Sequence, residues 1–221
     1  LYPNAELWDF LRTGVPAARE LLADLPAENR ADLEFLLQAW DRSLRALTLD
    51  DLEAEYIRTF THVTPVEYPP YETQYGHTQV FYQSQQLADI AGFYRAFGLD
   101  VSTGAKERLD HISVELEFMA FLAYKEAYAR AHDGDAAGEV CRRAQQSFMT
   151  HHLGRFGPLF ARRLRQKAGD GYYGAPAELL ERFLEAEFAY LEVRPLVFEA
   201  SDIVTPDWLP EGAGFTGLEA E

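Results

Sequence analysis

Apolar residues recur at helical spacing along nearly the whole chain, at separations of three and four residues. The clearest stripe lies between residues 105 and 131 and consists of Leu109, Ile112, Leu116, Met119 and Ala123. No segment shows the strict alternation of a β-strand, and the sequence contains no internal repeat. The pattern predicts an all-α fold, a single-domain helical bundle of about eight to ten helices.

Capping residues and helix breakers divide this pattern into elements. Asn4 and Thr48 are placed to cap helices, Pro26 to lie in a first turn, and Gly98 to end a helix that starts at Thr78. Prolines interrupt the helical pattern between residues 62 and 77. Later helices are predicted over about 105–131, 136–152 and 176–193, with Gly154 and Pro158 bending or dividing the segment after 152 and a turn at 169–171.

The domain boundary is predicted near residue 198. Residues 1–198 form the helical domain, either one compact body or at most two small lobes. Residues 199–221 contain six acidic residues and no Lys or Arg. They predict an acidic, irregular tail, unless Trp208 and Phe215 dock on the helices.

The overall charge narrows the classes of partner. The chain carries 36 acidic and 20 basic residues, a net charge of −16, with 48 % hydrophobic residues. This charge repels phosphate backbones and anionic lipid, so no nucleic-acid partner and no stable membrane insertion is expected, and basic partners are favoured. An acidic surface that only maintains solubility is the simpler explanation of the charge taken alone. Cys141 is the only cysteine, which excludes an internal disulfide and suits a reducing, cytoplasmic location.

The first candidate site is a rigid loop around two consecutive prolines. Aromatic residues flank Pro69 and Pro70, and a carboxylate follows at once, so the loop presents Tyr71, Glu72 and Tyr75 at fixed positions. A binding surface is one interpretation. The alternative is a helix connector whose aromatic rings pack beneath it.

The second candidate site is a row of carboxylates on the predicted 105–131 helix. Asp110 and Glu117 are seven residues apart, and His111 and Glu115 are neighbours at a separation of four, all beside the apolar stripe. The row is suited to binding a cation. The alternative is a solvated acidic face with one hydrogen-bonded histidine.

The sequence gives little support for a catalytic site or a metal site. Histidines and carboxylates occur, but not the paired Glu-x-x-His motifs of a di-iron bundle, and adjacent His151 and His152 point about 100° apart on a helix. Phosphate-binding loops and nucleophile turns are absent from the sequence. We therefore predict no catalytic residue, no metal and no cofactor, while a helical metal- or ligand-binding protein or regulator remains the alternative function.

Three motifs occur together along the chain. The first is residues 55–60 with Pro69-Pro70-Tyr71-Glu72-Thr73-Gln74-Tyr75. The second is Asp110-His111-Ile112-Ser113-Val114-Glu115-Leu116-Glu117-Phe118-Met119, and the third is Phe148, His151-His152-Leu153 and Phe156. Together they resemble one family, the TorD/DmsD/NarJ chaperones of redox-enzyme maturation. The family often has Ser at the position of Thr73 and Trp at that of Phe156.

The resemblance implies a cytoplasmic all-helical chaperone, a monomer or a homodimer, and not an enzyme. Its partner is the apo catalytic subunit of a molybdopterin oxidoreductase, held by an N-terminal leader that often carries a twin-arginine export signal. Carboxylates suit guanidinium groups, and an apolar seam suits the hydrophobic part of such a leader. The predicted peptide-binding residues are Pro69, Pro70, Tyr71, Glu72, Tyr75, Asp110, His111, Glu115 and Glu117, on two walls of one groove.

Overall fold

The computed structural model describes residues 3–22, 27–60, 66–76, 79–99 and 107–204. Within these ranges lie eight α-helices, so the predicted all-α bundle is confirmed. They are α1 (Ala5–Leu21), α2 (Ala27–Ala46), α3 (Leu49–Phe60), α4 (Val80–Ala96), α5 (Ile112–His132), α6 (Asp135–His151), α7 (Leu153–Ala168) and α8 (Gly174–Leu191). None of these helices is both long and apolar enough to cross a membrane.

Three predicted helix ends are confirmed by their hydrogen bonds or dihedral angles. The Asn4 side chain accepts a hydrogen bond from Leu7 N at 2.8 Å, which caps α1. Thr48 Oγ1 accepts from Asp51 N at 3.2 Å at the start of α3. Gly98 follows α4 with a φ of +74°, a left-handed conformation that favours glycine. The described part of the interrupted segment, 66–76, contains no α-helix, as predicted, while Pro26, Thr78 and residues 62–65 and 77 lie outside the described ranges.

The predicted start of α5 is wrong. The helix begins at Ile112, and His111 is its N-cap, with Nδ1 accepting from Ser113 N at 3.1 Å. Ile112 N donates to Pro70 O at 2.8 Å, outside the helix. Asp110 and His111 therefore precede the helix, because their backbone pairs with another segment. Residues 105 and 106, where the helix was predicted to start, lie outside the described ranges.

The helix predicted over 136–152 ends one residue early, at a sharp break. His152 separates α6 from α7 with a φ of −123° and a ψ of −100°. Gly154 and Pro158, predicted to bend or divide this region, both lie inside α7. The break turns the buried side chain of His152 away from the exposed His151.

The chain is divided into two compact units. The first unit comprises residues 1–65 and 160–187, and the second comprises 66–159 and 188–221. In the first unit, α1 packs on α2 around a buried cluster of Val15, Leu37, Leu44, Leu52 and Tyr172. The Tyr172 hydroxyl at this cluster is hydrogen-bonded, since Trp40 Nε1 donates to Tyr172 Oη at 3.1 Å.

The second unit has an aromatic core. Its centre is Phe118 of α5, whose ring centroid lies 4.9 Å from that of Phe148 and 4.7 Å from that of Tyr94. Phe93 packs on Phe148 from α4 at 5.3 Å. These edge-on and tilted contacts hold α4, α5 and α6 together and provide the support for both candidate sites.

Part of the segment predicted as an irregular tail pairs with the second unit. Ala200–Asp202 form a 3-10 turn, and Ile203 makes an antiparallel bridge with Tyr75. Gly76 N donates to Asp202 O at 2.7 Å, and Val204 N donates to Gln74 O at 2.8 Å. Residues 205–221, with the predicted docking of Trp208 and Phe215, lie outside the described ranges.

Replacing either of two glycines of the second unit with alanine is expected to change stability, in opposite directions for the two positions. Gly92 in α4 has open space around an added Cβ, so Gly92→Ala is expected to stabilise by about 0.5–1 kcal/mol. At Gly154 an added Cβ meets Met149 O and the rings of Pro195 and Phe188, so Gly154→Ala is expected to destabilise by about 2 kcal/mol. Urea unfolding of the two variants measures both effects, and midpoints that move in the same direction would contradict this packing.

Candidate functional site

The loop at 68–76, here called the diproline loop, lies against the residues that precede α5. Glu72 N donates to Asp110 O at 2.9 Å, and Ile112 N donates to Pro70 O. Between these two hydrogen bonds, Tyr71 and His111 form an isolated antiparallel bridge. The structure therefore brings together the two segments that were predicted to form one site.

Asp110 joins the diproline loop to the turn before α5. Its carboxylate is fully buried and accepts hydrogen bonds from Thr73 N at 3.2 Å and Thr73 Oγ1 at 2.7 Å. Arg108 Nε and Nη2 donate to the same carboxylate at 3.0 and 2.9 Å. These four hydrogen bonds satisfy both oxygens of the buried carboxylate, and they fix the loop. Thr73 supplies the same hydroxyl that Ser would, so this departure from the family pattern preserves the contact.

Glu72 is the second fully buried carboxylate, and it reaches from the loop toward α4 and the break at His152. Gln86 Nε2 of α4 donates to Glu72 Oε1 at 2.6 Å. His152 Nδ1 lies 3.1 Å from both Glu72 oxygens. Since a carboxylate only accepts, Nδ1 carries the hydrogen in this contact.

Glu115 on α5 is a fully buried acid whose pKa is raised. Neither of its oxygens has a hydrogen-bond donor among the described residues, and its exposure is 0 %. Burial raises the pKa of Glu115 well above its ordinary value of 4.5, and the nearby charge of Glu72 raises it further. In the neutral form the Glu115 O–H can donate to Glu72, which also favours retention of the proton.

The remaining predicted site residues differ widely in accessibility. Tyr75 is 1 % exposed and donates from its hydroxyl to Pro69 O at 2.7 Å, and both prolines are buried. Tyr71 and His111 are half-buried with ring centroids 5.2 Å apart, and Glu117 is exposed. Burial also lowers the pKa of His111, although the neighbouring Glu107 acts in the opposite direction.

This geometry corrects the expected role of three carboxylates. Glu72, Asp110 and Glu115 were predicted to offer charge to a peptide, but all three have 0 % exposure. Their oxygens face the loop, α4, α5 and the break at His152, so they hold the diproline loop in place. Only Tyr71, His111 and Glu117 of the predicted set have side-chain surface that a peptide can reach.

An open groove lies on the neighbouring face of the second unit. Its volume is about 690 Å³ and its lining comprises Tyr75, Tyr82, Gln85, Gln86, Ala88, Asp89, His151, His152, Arg155 and Phe198. Residues of α4 at helical spacing supply one wall, and the break after α6 supplies another. Within the described residues no group of three His, Cys, Asp or Glu side chains is arranged to hold a metal ion.

The family model described as "Nitrate reductase delta subunit" matches residues 23–162, more than half of the chain. The chain belongs to the nitrate reductase delta subunit family. Its relatives include the chaperone protein TorD of Vibrio cholerae, which is 27 % identical over 84 % of this chain and 79 % of that protein. The resemblance inferred from the motifs is therefore confirmed.

Two other relatives of this delta subunit family member are named for particular reductases. The perchlorate reductase assembly chaperone protein of Dechloromonas aromatica is 31 % identical over 63 % of this chain. The selenate reductase assembly chaperone protein of Thauera selenatis is 34 % identical over 64 % of this chain and 70 % of its own length. The match spans 61 % of the length of the perchlorate reductase relative. These names are those of chaperones rather than of catalysts, in agreement with the expectation that the chain is not an enzyme.

In this family member, the partners of the buried carboxylates were not predicted from the sequence. Gln86 and Asp89 lie in α4, whose pattern indicates only an ordinary helix. His152 was recognised as part of a motif, but its contact with Glu72 spans 80 residues. The one usable signal was the 100° separation of adjacent residues on a helix, which we applied only to a shared metal ion and not to the burial of either histidine.

Proposed function

We propose that this chain is a maturation chaperone for a molybdopterin-dependent reductase. In this role it binds the N-terminal leader of the apo catalytic subunit, in the cytoplasm, and assists cofactor insertion and assembly. The observation that carries the proposal is family membership together with relatives named as assembly chaperones of perchlorate and selenate reductases. Such a role requires a binding surface and no catalytic residue.

The accessible part of the predicted site supports peptide binding at the edge of the diproline loop. The Tyr71 ring packs against His111 and carries the Arg108 guanidinium 4.8 Å from its centroid. Glu117 lies exposed on α5, and the chain as a whole has a net charge of −16. A leader with adjacent arginines and an apolar segment complements such a surface in both charge and hydrophobicity.

Calorimetric titration tests the proposal with a synthetic peptide that carries two adjacent arginines followed by an apolar segment. We expect binding that weakens as salt rises, because attraction between the acidic protein and the arginines contributes to affinity. A peptide with both arginines replaced by Gln should bind less tightly. Glu117→Gln should weaken binding of the arginine peptide about threefold, as expected of one exposed charge.

The control is Asp135→Asn, which removes one negative charge at a side chain that is 96 % exposed in the first turn of α6. This variant should bind the peptide as the unmodified protein does. A wild-type protein that binds neither peptide would rule out leader capture as its function. Equal affinity for both peptides would restrict the contact to the apolar segment.

A further inference from the structure

Asp89 and His152 place two hydrogen-bond acceptors side by side in the groove. Because His152 Nδ1 donates to Glu72, the neutral ring has its lone pair on Nε2. This Nε2 is buried and has no hydrogen-bond partner among the described residues. It lies 3.3 Å from Asp89 Oδ2, on a carboxylate that is 67 % exposed. An acceptor pair of this kind is completed by a donor from outside the chain.

A guanidinium group fits this pair better than the other common ligands. Its planar fork presents several N–H donors, so it can bind the Asp89 carboxylate and the Nε2 lone pair at the same time. Anions are repelled by the same two acceptors. A metal ion would require more ligands than the described residues bring together here.

The groove already contains one guanidinium, that of Arg155, and the groups around the Asp89–His152 pair leave it able to bind a second one from a ligand. Arg155 already stacks over the Phe198 ring at 4.2 Å, and both line the groove. Asp89, with Glu72 behind His152, outweighs the single positive charge of Arg155. His151 is exposed at the groove edge, and the ring of Tyr82 offers further aromatic surface.

The start of α4 adds an apolar surface next to the groove. Val80, Phe81 and Tyr82 are 75 %, 67 % and 45 % exposed, and Tyr82 also lines the groove. Asp89 follows Tyr82 by seven residues, so both lie on the same face of α4, about 10 Å apart along its axis. This distance corresponds to about three residues of an extended peptide.

We infer that Asp89 and His152 bind the guanidinium group of an arginine in the client's leader, with neighbouring apolar residues of the leader on Tyr82 and the adjacent ring of Phe81. The inference rests on the proposed function and specifies where the cation is recognised. It assigns this recognition to the exposed Asp89 carboxylate of α4, beside the buried Nε2 at the α6–α7 break, instead of to the three buried carboxylates. Asp89 is the residue on which arginine specificity depends.

A double-mutant cycle tests the inference with the arginine peptide and its Gln counterpart. Asp89→Asn should weaken binding of the arginine peptide about tenfold, the loss expected of one charge-assisted contact, and leave binding of the Gln peptide unchanged. Asp135→Asn should leave both affinities unchanged. Thermal unfolding of each variant provides the folding control, since Asp89 is largely exposed.

The outcomes distinguish a failure of this inference from a failure of the proposed function. If Asp89→Asn binds the arginine peptide as tightly as the wild type, the cation site is wrong while leader binding stands. If the wild type does not bind the peptide, both fail. Nitrogen NMR of the His152 ring gives a second measurement: Nε2 should be unprotonated in the free protein and shift on binding of the arginine peptide. A ring protonated on both nitrogens before the peptide is added would overturn the inference.

Discussion

Replacing Asp110 with alanine is expected to lower the free energy of unfolding by about 3 kcal/mol. The substitution removes a fully buried carboxylate that accepts hydrogen bonds from Thr73 N, Thr73 Oγ1 and Arg108. The donors on Thr73 would remain buried without an acceptor, which accounts for most of the loss. Urea unfolding followed by circular dichroism measures the change.

Two further variants show whether the loss comes from this network. Thr73→Ser keeps the hydroxyl that donates to Asp110 and should cost much less than Thr73→Val, which removes it. Asp170→Ala removes an exposed carboxylate in a turn and should have little effect on stability. A loss below about 0.5 kcal/mol for Asp110→Ala, the usual range for exposed surface positions, would mean that this carboxylate does not hold the loop.

Glu115→Gln is expected to change how stability depends on pH. The pKa of Glu115 is raised in the folded protein, by burial first and then by Glu72, so the folded state retains a proton that the unfolded chain releases. The resulting stabilisation is fully present below the ordinary value of 4.5 and is lost as pH rises toward the folded pKa. Gln stays neutral and can still donate a hydrogen bond to Glu72, so this variant should lack that loss.

The measurement compares the urea midpoints of the two proteins across a series of pH values. At pH values below the ordinary pKa of Glu, the free energies of unfolding of the two proteins should differ little. Above it, the free energy of unfolding of the Gln variant should rise relative to that of the wild type by up to about 1.4 kcal/mol per pH unit. Asp110, Tyr94 and the other titrating groups are common to both proteins, so the difference isolates Glu115. A difference that stays constant with pH would show that Glu115 is not kept neutral by its surroundings.

The sequence predicts the helices, and the contact between the diproline loop and the residues before α5, far better than it predicts which side chains of the site are exposed. Helical spacing and the caps at Asn4 and Thr48 are local properties, and each was confirmed. The meeting of the diproline loop with Asp110 and His111 followed from motifs that occur together in one family. The early start predicted for α5 failed because Ile112 N bonds to Pro70, a contact that helical periodicity does not encode.

The accessibility of each carboxylate depended on residues distant in the chain. Glu72 is buried because Gln86 and His152 provide donors 14 and 80 residues away. Glu115 and Glu117 are only two positions apart on α5, yet the first is fully buried and the second is exposed. Net charge and spacing identify acidic residues as candidates, but the packing of α4 and the break at His152 decide which of them a partner can reach.

The pairing of Tyr75 with Ile203 has a consequence for biosynthesis. The edge of the diproline loop is hydrogen-bonded to Asp202 and Val204, which are translated long after the loop itself. A nascent chain that has completed only residues 1–159 therefore has the loop without the segment that closes it. We expect the loop to reach its final packing only once residues 202–204 have been synthesised, so under the proposed function shorter nascent chains should bind a leader peptide less well.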